Sequence, residues 1–481
     1  MPVSPTYSPE HPISDLGSDF FDPVAPAAFP QRILRFRNDR IAARVGLQAL
    51  TDAEWLDAFA RFQPLPDNLP EPLALRYHGH QFRSYNPDLG DGRGFLYAQL
   101  REAGSGRLLD LGTKGSGRTP WSRQGDGRLT LKGAVRELLA TETLEALGVP
   151  TSKTFSLVET GEALERQDEP SPTRSAVLTR LSWSHIRFGS FQRPAYHDRP
   201  DLIETLCRYV LTHYYPGLVA DPAGAPIAAA APALLEAVTA RSAKLVARWT
   251  AAGFVHGVLN TDNLNVTGES FDYGPYRFLP RFEPGFTAAY FDQTGLYAFG
   301  RQPEAVFWNL KQLAGCLALV CDTAPLIAAL NRFGPLHQAE QAQAFVARLG
   351  VVSQGSEADA ALLKVTLELA AEGGEALRWE PLFFDWFGGT ASRARAMAGP
   401  RAALWTGPAF EAFAAALAAY EPDRPERLDH PYFHRPEPEE LLYDEIETLW
   451  AAIAQADDWT PLQAKLDRIG TAREAWGLAE A

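Results

Sequence analysis

Apolar positions change their spacing partway along the chain. In the first part they come in short runs broken by glycine. Residues 95–100 and 107–114 read as two strands, and Gly104-Ser105-Gly106 between them supplies the turn of a β-hairpin. Leu131, Val135, Leu138, Leu139 and Leu147 then fall on one stripe of a helix predicted over 129–147, which Gly148-Val149-Pro150 ends. Residues 175–180 predict a further short strand. From about residue 186 helical spacing dominates, with helices predicted over 201–215, 232–252, 304–321, 358–372 and 409–420. The alanine-rich stretch 225–231 reads as a loop running into the second of these. Residues 1 to about 30, rich in Pro, Ser and Asp, predict an extended or poorly ordered arm. Residues 421–439 read as a Pro- and charge-rich linker before two modest helices. No repeat of solenoid or propeller period occurs. A strand-rich front and a helix-rich back predict an α+β protein of two lobes.

Composition narrows the class. A chain of 481 residues holds two to four domains of ordinary size or one large two-lobed enzyme. With 46% hydrophobic and 22% charged residues it buries a real core, which excludes wholesale disorder and a fibrous architecture. The net charge of -14 argues against a broad nucleic-acid surface, while leaving room for a local basic pocket. Three cysteines, Cys207, Cys316 and Cys321, are too few and too irregularly spaced for a disulfide framework or a zinc site. Cys316 and Cys321 read as small buried hydrophobes on a core helix, as suits a reducing compartment. The N-terminus lacks a basic region followed by an apolar one, and no apolar run reaches the ~18 residues of a membrane span. The expectation is a soluble cytoplasmic protein with no membrane and no nucleic-acid partner.

Candidate chemistry lies in ordered pieces. Gly90-Asp-Gly-Arg-Gly94 precedes the first hairpin strand; its glycines let backbone approach a phosphate, and Arg93 adds a cation. It is neither a dinucleotide fingerprint nor a Walker A loop. Lys114 ends the second strand and Glu137 lies in the helix that follows. Each alone reads as a solvated residue, yet a strand Lys and a helix Glu in this order form the pair that protein kinases use on ATP phosphates. Further on, His256-Gly-Val-Leu-Asn-Thr-Asp-Asn263 followed by Asp272-Tyr-Gly274 parallels the kinase catalytic loop and its later Asp-Phe-Gly. Asn263 and Asp272 fall where metal ligands belong. Val258 occupies the usual place of the base, and a carboxylate reappears at Asp262. Two oxygen ligands suit Mg²⁺ or Mn²⁺ with phosphate and water completing the shell. The loop from Lys114 to Gly127, with two arginines, and the segment from Arg180 to Arg187, with two more, imply a local anion pocket.

These segments together resemble the selenoprotein O (YdiU) family of protein adenylyltransferases. The matching stretches are 77–82 with 89–93, 114–128, Arg180 with 184–189, 256–263, 271–275, 303–313 and 382–389. The resemblance spans roughly residues 30 to 390. It implies a bilobal protein-kinase-like fold, with an N-lobe over 71–185, a helical C-lobe over 186–400, an N-terminal extension over 1–70 and a C-terminal helical tail over 401–481. It further implies transfer of AMP from ATP, bound in a flipped orientation, to Ser, Thr or Tyr hydroxyls of proteins, self-modification included. Carried over by position, Asp262 is the proton acceptor, and Asn263 and Asp272 hold Mg²⁺, or Mn²⁺ in its place. Gly90, Gly92, Arg93, Lys114, Asp126, Gly127, Arg180 and Arg187 contact the nucleotide, with Glu137 as partner of Lys114. Arg83 departs from the family's usual small residue, and no cysteine follows Cys321, so redox control through the tail is not expected. A phosphotransferase using the γ-phosphate and a non-catalytic nucleotide-binding scaffold are the alternatives; the intact Asp262, Asn263 and Asp272 count against the second.

Overall fold

A computed structural model describes residues 3–167 and 169–479. The predicted hairpin forms the middle of a nine-stranded sheet in which every pairing is antiparallel. Its strands are β1 (Pro9–Glu10), β2 (Phe21–Pro23), β3 (Ile33–Arg37), β4 (Leu73–Leu75), β7 (Leu96–Arg101), β8 (Leu108–Lys114), β9 (Leu129–Thr130), β10 (Lys153–Leu164) and β11 (Thr173–Ser182). They run in the order β2-β4-β7-β8-β11-β10-β3, with β1 beside β7 and β9 beside β11. The short strands β5 (Gly79–Gln81) and β6 (Ser84–Asn86) form a separate hairpin. Its two-residue loop, Phe82-Arg83, has positive φ at both positions, as a tight right-twisting hairpin turn requires.

The central strands are apolar on both faces because both faces are covered. On β8 and β11, Leu108, Ala176 and Leu178 face the helix α3 (Leu131–Ala146). Leu109, Leu111, Val177 and Leu181 face the other way, into the core with α1 (Asp39–Arg44) and α2 (Asp52–Phe59), whose Trp55 stacks on Phe155 and whose Phe59 meets it edge-on. Alternation within each strand therefore fills two cores at once. The helix after the hairpin starts where expected, with the Thr130 hydroxyl accepting from the Gly133 N–H.

Beyond the sheet lie α4 (Phe188–Tyr196), α5 (Pro200–Tyr214), α6 (Ile227–Ala251), α7 (Gln302–Leu317), α8 (Thr323–Asn331), α9 (Phe333–Arg348), α10 (Ser356–Gly373), α11 (Trp379–Trp386), α12 (Arg393–Ala398) and α13 (Pro408–Leu417). The chain closes with α14 (Tyr443–Ala456) and α15 (Thr460–Trp476). The molecule is thus a mixed α/β protein with a curled antiparallel sheet and many helices. Among the described residues no helix is long and apolar enough to cross a membrane.

Three expectations are corrected. The N-terminal arm is no loose segment: β1 and β2 join the sheet, and Ile13, Leu16, Phe20 and Phe29 are buried. Residues 227–231 are the first turns of α6 rather than a loop, since alanine is the strongest helix former and carries the helix through Pro232. The stretch 421–439 is not merely a linker, because Tyr432 and Phe433 pack against Trp476 in the core. The last helix returns to α3, where Arg473 reaches Glu142 at 2.7 Å.

One close approach ties the β5–β6 hairpin to α4. The Gly189 carbonyl accepts from the His78 N–H at 3.1 Å, and a Cβ on Gly189 would overlap the His78 carbonyl oxygen. Gly189→Ala is expected to lower stability by about 1–3 kcal/mol, read from the midpoint of urea unfolding.

Candidate active site

Four elements meet at or behind one cleft. Lys114 is the last residue of β8 and Arg180 sits near the end of β11. Glu137 projects from α3, and Arg187 lies just before α4. Lys114 donates to Glu137 at 2.6 Å, and Arg180 donates to the same carboxylate at 3.3 Å. Asp272 takes Arg180 at 2.6 Å on one oxygen and Arg187 at 2.7 Å on the other, with Lys114 at 3.4 Å. Lys114, Glu137, Arg180 and Arg187 are all buried. Burial alone would raise the Asp272 pKa, but Arg180, Arg187 and Lys114 together hold it well below the usual carboxylate range. Asp272 also has φ 62, a left-handed backbone that aspartate tolerates only at a modest cost in energy. Both arginines lie over aromatic rings, Arg187 over Tyr77 and Phe271 and Arg180 over Phe271.

Asp262 and Asn263 lie on a single 3₁₀ turn, Thr261–Asn263, pinned from several sides. The β5–β6 hairpin donates its His80 N–H to the Thr261 hydroxyl at 2.7 Å and its Phe82 N–H to the Asn260 side-chain Oδ1 at 3.1 Å. The Tyr297 hydroxyl donates to that same Asn260 oxygen, and the Asn309 amide donates to the Leu259 carbonyl. From the cleft side, Arg187 donates to the Asp262 backbone carbonyl at 2.6 Å. The Asp262 side chain is buried, and its Oδ1 has no hydrogen-bond partner among the described residues. Burial raises its pKa to about 6 against the opposing charge of Arg187. A largely buried carboxylate with one unpartnered oxygen and a raised pKa has the properties of a general base.

The cleft has a volume of about 530 Å³, and Gly90, Gly92, Arg93, Lys114, Asp126, Gly127, Arg180, Arg187, Asp262, Asn263 and Asp272 all line it. Glu137 stands behind Lys114 and does not line the cleft. Gly90 and Gly92 are glycines for a local reason: a Cβ on Gly90 would overlap the Trp121 indole, and one on Gly92 would lie 2.8 Å from the Trp121 carbonyl oxygen. The loop 115–128 is thereby laid against the glycine segment. Arg93 is exposed at the rim. Asp126 is bound by Arg166 at 2.8 Å, so it braces the rim while facing the cleft. Arg83 lies at the hairpin tip, pairing with Glu304 at 3.0 Å, and does not line the cleft.

Sequence reasoning passed over Asp91 and Tyr77. The Asp91 carboxylate accepts from the Leu75 N–H at 3.1 Å and lies 3.5 Å from Arg187, while Tyr77 carries the Arg187 guanidinium on its ring. The signal for Asp91 was its place between Gly90 and Gly92. Tyr77 had none beyond its neighbourhood.

The residues present fit a hard divalent cation. Asp272 is ionised, and the Asn263 amide nitrogen donates to the Val258 carbonyl at 2.9 Å, leaving its oxygen to offer. Among the described residues no group of three or more His, Cys, Asp or Glu side chains could hold a metal. A cation here would complete its shell with ligand oxygens and water, as magnesium does in phosphate sites. Buried cations, a glycine-rich rim and a carboxylate of raised pKa are groups suited to anionic phosphate oxygens and to proton transfer.

The comparisons agree with that class. The family model described as protein adenylyltransferase SelO matches residues 4–470. A protein of Gloeobacter violaceus named protein nucleotidyltransferase YdiU is 45% identical over 480 residues, covering 98% of this chain and 96% of its own. Its namesakes in Synechococcus elongatus and Synechocystis are 44% identical over 97% of this chain and 94% of theirs, and 50% identical over 72% and 71%. The chain belongs to the SelO family of protein adenylyltransferases, which are nucleotidyltransferase enzymes.

Asp262 supplies a stability test in metal-free, nucleotide-free protein. Its folded pKa, about 6, exceeds the unfolded value of 3.8, so folding favours the protonated form. Stability is lost as pH rises from the unfolded to the folded pKa and stays lost above it. Asp262→Asn removes that penalty. It is expected to stabilise the fold by on the order of 3 kcal/mol at pH 8 and by little below pH 4, read by denaturant unfolding at the two pH values.

Proposed function

We propose that the protein transfers AMP from ATP to Ser, Thr or Tyr hydroxyls of proteins, itself included, in a Mg²⁺-dependent reaction. Mn²⁺ serves as an alternative ion. The observation that carries this reading is the buried, unpartnered carboxylate of Asp262 beside a cluster of three buried cations. Family membership supplies the adenylyl group. The frame is kinase-like, with lobes over 71–185 and 186–400, an N-terminal extension and a helical tail. Support comes from a strand lysine on a helix glutamate, and from a carboxylate after a Phe271 that packs on both arginines. Val258 takes the place of a kinase base, and this favours ATP lying flipped relative to kinases, with its α-phosphorus toward Asp262.

In this reading Lys114, Arg180 and Arg187 exchange carboxylate partners for phosphate oxygens. Glu137 keeps Lys114 in place, and Asp272 and Asn263 would hold the ion. A bound Mg²⁺ would neutralise phosphate charge. Asp262 accepts the proton of the acceptor hydroxyl, whose oxygen bonds to the α-phosphorus as the bond to pyrophosphate breaks. The rim of glycines and the loop 115–128 hold the nucleotide and limit water. Three cysteines without disulfides suit a reducing, cytoplasmic setting.

Transfer of label from ATP tests the reading. The α-phosphate label is expected on the acceptor protein; label from the γ-phosphate alone would establish phosphoryl transfer instead. Asp262→Ala is expected to cut transfer by about 10²–10⁴-fold while ATP still binds. Lys114→Ala is expected to weaken ATP binding and transfer together, as equilibrium binding and initial rates would read. Full activity in either variant would remove that residue from the site.

A further inference from the structure

Beside the cleft, the tip of the β5–β6 hairpin meets a loop between β5–β6 and α7 in space to form an exposed aromatic surface. Among the described residues ten large hydrophobic side chains are exposed, and three of them form one chain of ring contacts here. Tyr290 is 84% exposed, Phe291 46% and Phe82 37%. The Phe291 ring lies 5.1 Å from that of Tyr290 and 5.8 Å from that of Phe82, while Phe82 lies 4.9 Å from the buried Tyr297. Single exposed apolar residues are ordinary, but a contiguous aromatic group marks a contact site. The loop that carries two of these rings is well anchored. Ala288, Ala289 and Tyr297 are buried, and the Asp292 carboxylate accepts from the Leu296 and Tyr297 N–H groups at 2.8 and 2.7 Å. At its base the Phe299 N–H donates to the Phe286 carbonyl and the Gly300 N–H to the Pro284 carbonyl, both at 2.9 Å. A braced loop thus holds Tyr290 and Phe291 in water and forgoes the gain from burying them. Arg83, next to Phe82, pairs with Glu304 and lies over Trp308 at 5.5 Å, which gives the patch a polar edge. An aromatic centre with a polar edge is the make-up of a protein-binding surface.

The patch is joined to the turn that carries Asp262. The Phe82 N–H and the Tyr297 hydroxyl both donate to Asn260 Oδ1, two residues before Asp262. At the other end of β5, Gly79 lies so near that a Cβ there would stand 3.0 Å from Asp262 Oδ1, the oxygen without a partner among the described residues. Gln81 lines the cleft, and the next residue, Phe82, lies on the patch. Gly79 and Phe82 are three residues apart on an extended segment, which puts the aromatic rings about 10 Å from that oxygen at about 3.3 Å per residue. An extended polypeptide laid along the hairpin covers the same distance in about three residues.

We infer that this patch docks the acceptor protein, through an extended segment whose aromatic or large aliphatic side chain packs on Tyr290, Phe291 and Phe82 about three residues from the acceptor hydroxyl. The inference rests on the proposed transfer to protein hydroxyls, which brings a polypeptide to Asp262 beside this surface. Short peptides with one central Ser, Thr or Tyr in an alanine and lysine background, each with Phe at one position, read the spacing through kcat/KM for transfer from α-labelled ATP. Phe about three residues from the acceptor, on one side only, is expected to raise kcat/KM about tenfold or more over Ala, mostly through KM. In the Tyr290→Ser, Phe291→Ser double variant that advantage is expected to fall to within about twofold, with ATP affinity and the rate on the all-alanine peptide unchanged. An advantage at no position, or one that the double variant keeps, overturns the docking. No label on any peptide or protein would instead count against the proposed reaction and, with it, the spacing. Fluorescence anisotropy of the dye-labelled Phe peptides then decides the surface: it stands if binding is lost in the double variant, and falls if both proteins bind alike or neither binds. A dimer that dissociates on the double substitution, with Phe and Ala peptides used alike, would assign the face to a second copy of the chain and overturn the proposal.

Discussion

The structure turns on one carboxylate set among buried cations. Asp272 neutralises Arg180 and Arg187 and lies within reach of Lys114, and without it those cations would be buried with too little opposing charge. Breaking a buried pair by deleting one partner costs about 3–5 kcal/mol. The surrounding architecture follows from this requirement. β8 and β11 must pair in register to bring Lys114 beside Arg180, α3 must dock to present Glu137, and the segment around Asp272 must adopt a left-handed backbone. Sheet, helix and loop are thus locked by charge where they meet, and by apolar packing elsewhere.

The same lock explains how a stable cluster can serve a reactive site. In the proposed reading a phosphate chain would offer the three cations the charge that Asp272 now provides, replacing one set of ion pairs with another. No isolated buried charge arises in either state. Asp262 is held differently. Its turn is fixed by hydrogen bonds to the Asp262 backbone carbonyl and to the Thr261 and Asn260 side chains, while its Oδ1 has no partner among the described residues. The protein fixes the position of that group while withholding the bonds that would quench its basicity.

Much of the site was legible in the sequence because its members fall in ordered local motifs. Lys114 ends a recognisable hairpin, Glu137 lies on an apolar-striped helix, and 256–263 with Asp272 keeps a distinctive spacing. Those residues meet in space as the order implied. Less legible were elements whose stability is wholly tertiary. β1 and β2 are two and three residues long and carry no periodicity; pairing with β7 and β4 alone orders them. β10 mixes Thr, Ser and Glu with apolar residues, and its polar groups are buried through partners on neighbouring strands and on α2 and α3 that no local pattern announces.

The central claim is that one cation cluster exchanges a carboxylate for the phosphates of ATP, with the α-phosphorus beside Asp262. A crystal structure with a non-hydrolysable ATP analogue and Mg²⁺ tests it most directly. The account predicts phosphate oxygens on Lys114, Arg180 and Arg187, Glu137 still on Lys114, Asp272 on the ion, and the α-phosphate as the group nearest Asp262. A γ-phosphate nearest Asp262, or a nucleotide bound away from these cations, would contradict it.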